Sequence, residues 1–273
     1  MIMKKIERIL RLFRNPVVTK ANITYLQPNA RLNGKRIVIT GGGRGLGAAM
    51  AKRFVNEGAS VLIAGRNLDT IKMTAEEIGC KCLPLDVSQV ELFEKFIEDA
   101  SQILGGIDVL VNNAGISLHE KNFFDVTSES FDLQMNTNLK GPFLLAQSLI
   151  KKWKKNNITG SILFVSSETG EMSDFRPYGF TKAAINSMVQ GLAYLFAKDG
   201  IRVNAVAPGV TCSDMTGRKS DDLTLKSNML GRLYLPEEVA EAACFLISDA
   251  AGCVSGQIIT CNNGKSINAR WKK

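Results

Sequence analysis

The sequence lacks the features that mark a membrane, secreted or metal-dependent protein. None of its apolar runs approaches the roughly 20 residues that a helix needs to span a bilayer. The first residues interleave apolar side chains with Lys and Arg and form no solid apolar stretch of the kind found in a secretory signal. There is one histidine, His119, and no C-x-x-C pair among the six cysteines, so the ligand spacings of a zinc site are missing. We therefore expect reduced thiols, a cytoplasmic protein and no metal.

Acidic residues are scarce at the amino-terminal end and nowhere else. Residues 1–36 hold nine of the 34 Lys and Arg side chains but only one of the 26 Asp and Glu. The remaining 237 residues hold 25 of each sign. The formal charge of +8 therefore belongs to this end. A neutral body predicts no nucleic-acid partner.

The first fifteen residues, MIMKKIERILRLFRN, place apolar side chains at helical spacing with basic side chains between them. Such a helix suits peripheral binding to an anionic membrane surface, and it equally suits packing on the protein's own body or on a partner subunit. The pattern does not separate these alternatives. Residues 15–34 predict an irregular linker. The predicted organisation is a basic extension with its linker at 1–33, one domain at 34–266 and a basic tail at 267–273.

From Lys35 onward, short β-branched runs alternate with longer helical patterns. Nearly solid apolar strands between helices are typical of a parallel sheet covered on both faces. The prediction is a single α/β domain, a Rossmann-type doubly wound sheet of about seven strands. The strand candidates are RIVIT (36–40), SVLIA (60–64), KCLPL (81–85), DVLVN (108–112), SILFV (161–165), IRVNAV (201–206) and QIITC (257–261).

A glycine-rich stretch, TGGGRGLG, follows the first predicted strand and opens the next helix at about Leu46. Glycines permit a tight turn and a close approach of the backbone to an anion, and the amides of a helix N-terminus face a pyrophosphate. The alternative is a glycine-rich turn without a ligand, but the strand–loop–helix context favours a dinucleotide. The candidate residues are Thr40, Gly41, Gly43, Arg44, Gly45, Leu46 and Gly47.

The end of the second strand indicates which dinucleotide is bound. An acidic residue there would accept a hydrogen bond from the ribose 2′-hydroxyl, but this sequence has Gly65 followed by Arg66. Arg44 in the glycine loop adds a second guanidinium, and arginine binds phosphate in a bidentate fork. The sequence therefore predicts NADP(H) rather than NAD(H), unless one of these arginines is merely solvated.

Three further motifs follow later strands: NNAG (112–115), SSETG (166–170) and YGFTK (178–182). Open α/β sheets bind ligands at the carboxyl ends of their strands. Tyr178 and Lys182 are four residues apart and share a helix face. A free tyrosine has a pKa of about 10, and we expect the neighbouring ammonium to lower the pKa of Tyr178 toward the working pH.

With these motifs and RVNAVAPG (202–209), the sequence resembles the short-chain dehydrogenase/reductase family over residues 34–266. The resemblance implies that Tyr178, Lys182, Ser167 and Asn138 act together on an alcohol or ketone. Asn138 is chosen over Asn136 because it directly precedes LKG. Ser167 is chosen over Ser166 because two residues and a glycine follow it.

The resemblance also assigns a task to each member of this set. Tyr178 exchanges the proton, Ser167 binds the substrate oxygen, Lys182 holds the nicotinamide ribose and Asn138 holds a water. The remaining positions that it implies for the cofactor are Asp86, Val87, Asn113, Ala114, Gly115, Tyr178, Lys182, Pro208, Gly209, Thr211 and Ser213. It further implies a homodimer or homotetramer built through helices around 138–155 and 178–198. Asp108 is expected to brace the sheet.

The sequence departs from the family pattern at two places. Ser167 and Tyr178 are eleven positions apart, fewer than in many relatives, and CNNG (261–264) stands where DGG is common. The substrate pocket is expected from residues 168–176, 119–124 and 213–235, the last as a lid. His119 is either an ordinary loop histidine or a substrate contact.

The function implied is an NADPH-dependent ketone reductase similar to 3-oxoacyl-carrier-protein reductases, acting on a small-molecule carbonyl or alcohol. A sugar, polyol or cyclitol dehydrogenase of the same family is the enzymatic alternative. A nucleotide-binding sensor or scaffold is the non-enzymatic one, against which the intact set of Tyr, Lys, Ser and Asn argues.

Overall fold

Seven parallel strands form one sheet at the centre of the molecule. The structure is a computed structural model that describes residues 30–213, 215 and 223–267. The predicted helix at 1–15 and residues 268–273 of the predicted tail lie outside these residues. The strands are β1 Arg36–Thr40, β2 Ser60–Gly65, β3 Lys81–Pro84, β4 Val109–Asn112, β5 Gly160–Val165, β6 Ile201–Pro208 and β7 Ile258–Cys261. Their order is β3-β2-β1-β4-β5-β6-β7, and every neighbouring pair is parallel.

Helices cover both faces of this sheet. They are α1 Gly45–Asn56, α2 Leu68–Ile78, α3 Phe93–Leu104, α4 Ser128–Met135, α5 Gly141–Lys155, α6 Pro177–Phe196 and α7 Pro236–Ile247. A π-helical turn, Asn136–Lys140, joins α4 to α5. Alternating side chains of each strand enter two separate cores, as the pleat of a strand requires. Val38 and Leu62 pack with α3, α5 and α6, whereas Ile37 and Ile63 pack with α1, α2 and α7. The predicted doubly wound α/β fold is confirmed.

Asp108 and Arg36 fasten the start of β1 to the start of β4. The Arg36 guanidinium donates to both carboxylate oxygens of Asp108 at 2.6 and 2.8 Å, and the Arg36 backbone amide donates at 2.9 Å. Partial burial opposes the charged form, but these bonds outweigh it and lower the pKa of Asp108. Asp108 therefore braces the sheet, as the sequence predicted.

The first described residues pack against the α/β domain. Leu32 is fully buried, and its amide donates to the carbonyl of Glu57 at 3.0 Å. The Glu57 carboxylate is also buried, and it accepts from the Arg31 amide at 2.9 Å and pairs with Arg53. Among the described residues, no helix combines the length and apolar character needed to cross a bilayer.

Candidate active site

The motifs predicted from the sequence meet at the carboxyl edge of the sheet. The strand order reverses between β1 and β4, so their connections leave in opposite directions and open a crevice there. The glycine loop follows β1, NNAG begins at the last residue of β4, and Ser166 and Ser167 follow β5. Pro208 ends β6 at the same edge. The fold thus gathers residues that lie as far apart in the chain as Thr40 and Pro208.

The glycine loop has the backbone that a phosphate cradle requires. Gly41 and Gly45 have φ of +64° and +54°, a region that favours glycine. A Cβ at Gly47 would lie 2.2 Å from the Gly41 carbonyl oxygen, so no side chain fits there. The first turn of α1 has no acidic residue and no side-chain cap. Its amides can therefore face an anion, and the loop fits a dinucleotide pyrophosphate.

Replacing Gly47 with alanine is expected to displace this loop. The added methyl must push the Gly41 carbonyl away, an overpacking cost of about 1–3 kcal/mol. We expect the dissociation constant for NADPH, measured by fluorescence titration, to rise about tenfold or more. Gly191→Ala on α6 is the matched control, because a Cβ there meets nothing within 4 Å. Equal binding by both variants would contradict this account of the loop.

Asn113 and Thr40 hold the glycine loop against the NNAG segment. The Asn113 amide group donates to the carbonyls of Thr40 and Gly41, both at 2.9 Å. The Thr40 hydroxyl accepts from the backbone amides of Asn113 and Ala114, both at 3.1 Å. These bonds fix the relative position of two segments that were predicted to bind cofactor.

The segment after β6 adjoins the same loop. A Cβ at Gly45 would lie 3.6 Å from the Cβ of Ser213, which places Ser213 beside the loop. Gly209 is backed by the ring of Tyr234, which a Cβ there would meet at 2.7 Å. Thr211 is buried and forms a β-bridge with Tyr234. The residues predicted to meet the two ends of a dinucleotide therefore lie around one crevice.

The residues predicted to choose between NAD and NADP lie at its outer side. Arg44 and Arg66 are exposed. A Cβ at Gly65 would lie 2.9 Å from a methyl group of Ile71, so an aspartate or glutamate there would force Ile71 to shift. Asp86 directs one carboxylate oxygen to the amide and hydroxyl of Ser88, at 2.9 and 2.7 Å. Val87 is buried, and its carbonyl packs against Gly141.

The structure separates the two candidate serines and the two candidate asparagines. Ser166 lies in the core, where its hydroxyl donates to Asn186 at 2.6 Å, whereas the Ser167 hydroxyl lies near Tyr178 and lowers the pKa of that phenol. Asn138 lies in the π-helical turn and is buried, with its amide bonded twice to the backbone of Ile116, at 2.8 Å each. Asn136 instead faces a surface groove beside α6. Gly115 lies against both Asn138 and the Lys182 ammonium.

Tyr178 and Lys182 stand one turn apart at the start of α6. Pro177 occupies the first helical position, where its fixed φ suits the helix and its missing amide costs nothing. The Lys182 ammonium is 5.5 Å from the centroid of the Tyr178 ring and donates to the Val165 carbonyl at 2.7 Å. Lys182 is 4% exposed, and burial lowers its pKa from 10.5 to about 8.

The expected lowering of the Tyr178 pKa is wrong for the protein by itself. Burial raises the pKa of Tyr178 and outweighs the hydrogen bond from Ser167 and the nearby positive charge of Arg176. The sequence could place the lysine on the same helix face, but desolvation depends on distant segments. The phenol is therefore held in its protonated form at neutral pH.

Sequence reasoning missed the pair formed by Asp174 and Arg176. The Arg176 guanidinium donates to both carboxylate oxygens of Asp174 at 2.8 Å, and Asp174 packs against Gly179 in the first turn of α6. This pair lines an open cleft of about 500 Å³ together with Thr169, Met172, Ser173 and Phe175. The sequence feature that could have indicated this pair is Arg176, which directly precedes Pro177 at the start of α6. The residues that line the cleft lie within the segment 168–176, and its role in the substrate pocket stays a prediction.

The expected lid is described in part. Residues 214 and 216–222 lie outside the described chain, while residues 223–235 fold back on themselves through a bridge between Thr224 and Arg232. The His119 ring is 2.7 Å from the carbonyl of Met215, so the loop after NNAG touches this segment. His119 therefore has a loop partner in the structure.

Comparisons with known proteins agree with this geometry. The family model described as Enoyl-(Acyl carrier protein) reductase matches residues 41–266. The 3-oxoacyl-[acyl-carrier-protein] reductase FabG of Aquifex aeolicus is 34% identical, over 86% of this chain and 98% of its own. The L-rhamnose 1-dehydrogenase (NADP(+)) of Thermoplasma acidophilum is 32% identical, over 86% and 97%.

A solved structure also matches this chain over most of its length. The 3-ketoacyl-(acyl-carrier-protein) reductase of Brucella melitensis, complexed with NADH, superposes with a TM-score of 0.80 at 33% identity. The match covers 86% of this chain and all of that one. Fold, motifs and relatives define an oxidoreductase that acts on CH–OH or C=O groups. The chain belongs to the short-chain dehydrogenase/reductase family and is similar to its 3-oxoacyl-[acyl-carrier-protein] reductases.

Proposed function

We propose that this protein reduces a ketone to a secondary alcohol with NADPH and that Tyr178 is the proton donor. The observation that carries the proposal is the cluster at the carboxyl end of β5. The Ser167 hydroxyl is close enough to Tyr178 to favour the ionised phenol, and Lys182 is buried one turn away with its ammonium near the Tyr178 ring. A protonated phenol beside a serine hydroxyl can bind and protonate one substrate oxygen.

The protonation states of Tyr178 and Lys182 suit the reductive direction. Burial raises the pKa of Tyr178, so at neutral pH the phenol carries the proton that a forming alkoxide needs. The pKa of Lys182 is about 8, so this side chain is still mostly charged at pH 7. Its ammonium would stabilise the phenolate that remains after proton transfer. The protonated phenol and the charged ammonium are the forms that reduction of a carbonyl requires.

A dinucleotide would lie along the crevice from Arg66 to Ser213. The glycine loop would hold its pyrophosphate, and Lys182 would hold the nicotinamide ribose. The reduced cofactor supplies the hydride when bound. Ser167 and Tyr178 would fix the substrate carbonyl through its oxygen and so orient the carbon that accepts the hydride. Asn138 would hold a water near Lys182, as the family resemblance implies, and Gly115 lies beside both residues.

The substrate contains an apolar part in this proposal. Met172 and Phe175 line the cleft and are 45% and 42% exposed. Such side chains suit an acyl or other hydrocarbon group beside the carbonyl. The polar alternative, a keto sugar or polyol, is supported by the similarity to an L-rhamnose dehydrogenase and by Asp174 and Arg176 in the same cleft.

The deciding experiment is a substrate panel with purified full-length protein. NADPH consumption is measured with β-ketoacyl thioesters, keto sugars and small ketones, for the wild type and for Tyr178→Phe side by side. Turnover that requires Tyr178 with at least one carbonyl supports the reductase. Absence of such turnover across all three classes would favour a nucleotide-binding sensor.

NADPH is expected to be the preferred cofactor, and Arg66→Ala is expected to weaken the preference. Removing one guanidinium from a bound 2′-phosphate typically costs about 1.5–3 kcal/mol. The ratio of kcat/KM for NADPH to that for NADH should therefore fall about tenfold to a hundredfold. Lys151→Ala, an exposed cation on α5, is the control. An NADH preference in the wild type would show that both arginines had been misinterpreted.

We also propose that the protein is a homo-oligomer of the cytoplasm. An apolar groove runs between the π-helical turn and α6, lined by Met135, Leu139, Phe143, Met188, Leu192 and Leu195. Of these, Phe143 and Leu195 are 42% and 64% exposed, which suits burial against a second copy. All six cysteines are free thiols, as a reducing compartment maintains them.

A further inference from the structure

The turn that carries Ser167 is held from the side of the C-terminal segment by an unusual buried acid. Glu168 directly follows Ser167, begins the 3₁₀ turn Glu168–Glu171 and is 5% exposed. Its carboxylate accepts from the Lys265 ammonium at 2.7 Å and from the Asn262 amide at 3.1 Å. Each oxygen thus has its own donor. We name Glu168, Asn262 and Lys265 the Glu168 network.

A second acid ties the other end of the same turn to the same segment. Glu171 accepts from the hydroxyls of Thr260 and Ser266, both at 2.6 Å. The opposite side of the turn packs on α6, where a Cβ at Gly170 would lie 2.9 Å from the backbone of Lys182. The turn is therefore fixed between the Lys182 backbone and the segment 260–266. The position of Ser167 at its start depends on both contacts.

The Glu168 network also reaches the segment expected to close the cleft. The Lys265 ammonium lies 3.4 Å from the side-chain oxygen of Asn228. Asn228 is 3% exposed, and its amide group donates to the carbonyls of Val210 and Arg232 at 3.2 and 2.8 Å. One ammonium thus contacts both the serine turn and residues 223–235. Both would border a bound substrate.

The network gives a physical reason for the CNNG sequence. Asn262 stands where DGG-type sequences have an aspartate, and an aspartate there would place a second carboxylate about 3 Å from Glu168, where like charges repel strongly. An asparagine instead donates to Glu168, while its oxygen accepts from the Gly264 amide at 3.0 Å. Asn263 has a φ of +52°, a conformation that asparagine tolerates in place of glycine. The acid and the amide complement each other across 94 residues.

We propose that Glu168, Asn262 and Lys265 are positioning residues that set the placement of the Ser167 hydroxyl beside Tyr178. The inference rests on the proposed reductase function. It predicts that disturbing the Glu168 network lowers kcat more than it affects NADPH binding, because the glycine loop is built elsewhere. A misplacement of about 1 Å at a reacting group can cost up to a hundredfold in rate.

The test exchanges donor and acceptor. Glu168→Gln leaves one acceptor oxygen for two donors, so its amide group must face either Asn262 or Lys265. Asn262→Asp turns a carboxylate toward Glu168. Each single variant should therefore lose about tenfold or more in kcat. The double variant restores one donor facing one acceptor and should return to within about threefold of the wild type. Rates are compared well below the thermal midpoint of every variant. The NADPH dissociation constant should stay within about twofold throughout.

Controls separate the possible outcomes. Glu98→Gln removes a carboxylate from an exposed ion pair, Glu98 with Lys152 at 2.7 Å, and should leave kcat unchanged. If the single variants do not fold, Lys265→Gln, at a side chain that is 22% exposed, still disturbs the network and should lower kcat severalfold. If Glu168→Gln, Asn262→Asp or Lys265→Gln kept the wild-type kcat, the positioning proposal would be overturned and the reductase function would still stand. A wild type without Tyr178-dependent turnover would overturn the reductase function, and the proposal with it.

Discussion

Replacing Tyr178 with phenylalanine is expected to lower kcat for carbonyl reduction about a thousandfold, the contribution of a well-placed general acid. The change removes one hydroxyl and keeps the ring beside Lys182. The measurement is steady-state turnover with the best carbonyl from the panel.

The same helix supplies the control for this substitution. Tyr194 lies on α6 and is 90% exposed, so Tyr194→Phe should keep the wild-type rate. NADPH binding by Tyr178→Phe should change by no more than about threefold, since the lost hydroxyl acts in the transition state. A Tyr178→Phe enzyme that retained most of its turnover would remove the phenol from the mechanism.

Replacing Lys182 with methionine is expected to stabilise the protein while removing its activity. Burial lowers the pKa of Lys182 from 10.5 to about 8, which means that the folded state holds the charged form at a cost. That difference corresponds to about 3 kcal/mol below pH 8. Methionine fills a similar volume without the charge. Loss of the bond to the Val165 carbonyl offsets part of the gain, so we expect about 1–3 kcal/mol at pH 7.

The sign of this effect can be checked through its pH dependence. Between pH 8 and 10.5 the unfolded lysine still binds a proton that the folded lysine has lost, so wild-type stability from this group rises with pH. The advantage of Lys182→Met, measured by urea unfolding, should therefore shrink across that window. Lys151→Met, at an exposed lysine, should show neither trend. If Lys182→Met were less stable than the wild type at pH 7, the pKa assignment would be wrong.

The strands were the most predictable part of this molecule. Each of the seven β-branched runs became a strand, with ends shifted by at most two residues. Their patterns are local, because a strand buried on both faces needs apolar residues throughout. The start of α6 was also readable, because Pro177 fixes the first helical position directly before Tyr178.

The contacts that complete the candidate active site could not be predicted from the sequence, because they join segments that are distant in the chain. Asn138 is fixed by Ile116, 22 residues earlier, through a π-helical turn that no local pattern announces. Glu168 meets Lys265 across 97 residues. The predicted direction of the Tyr178 pKa shift was wrong for the same reason. The sequence shows the neighbouring lysine, but it does not show the burial that raises the pKa. Spacing therefore predicted which residues gather and did not predict their energetics.

The root of the amino-terminal segment, Arg31 and Leu32, lies at the edge of the sheet away from the residues predicted to bind cofactor. Leu32 and the Arg31–Glu57 contacts fix that root beside the start of β2, at the amino edge of the sheet. The five residues of β1 put the glycine loop about 16 Å away, at the opposite edge. The chain therefore enters the domain at the edge opposite the residues predicted to bind cofactor.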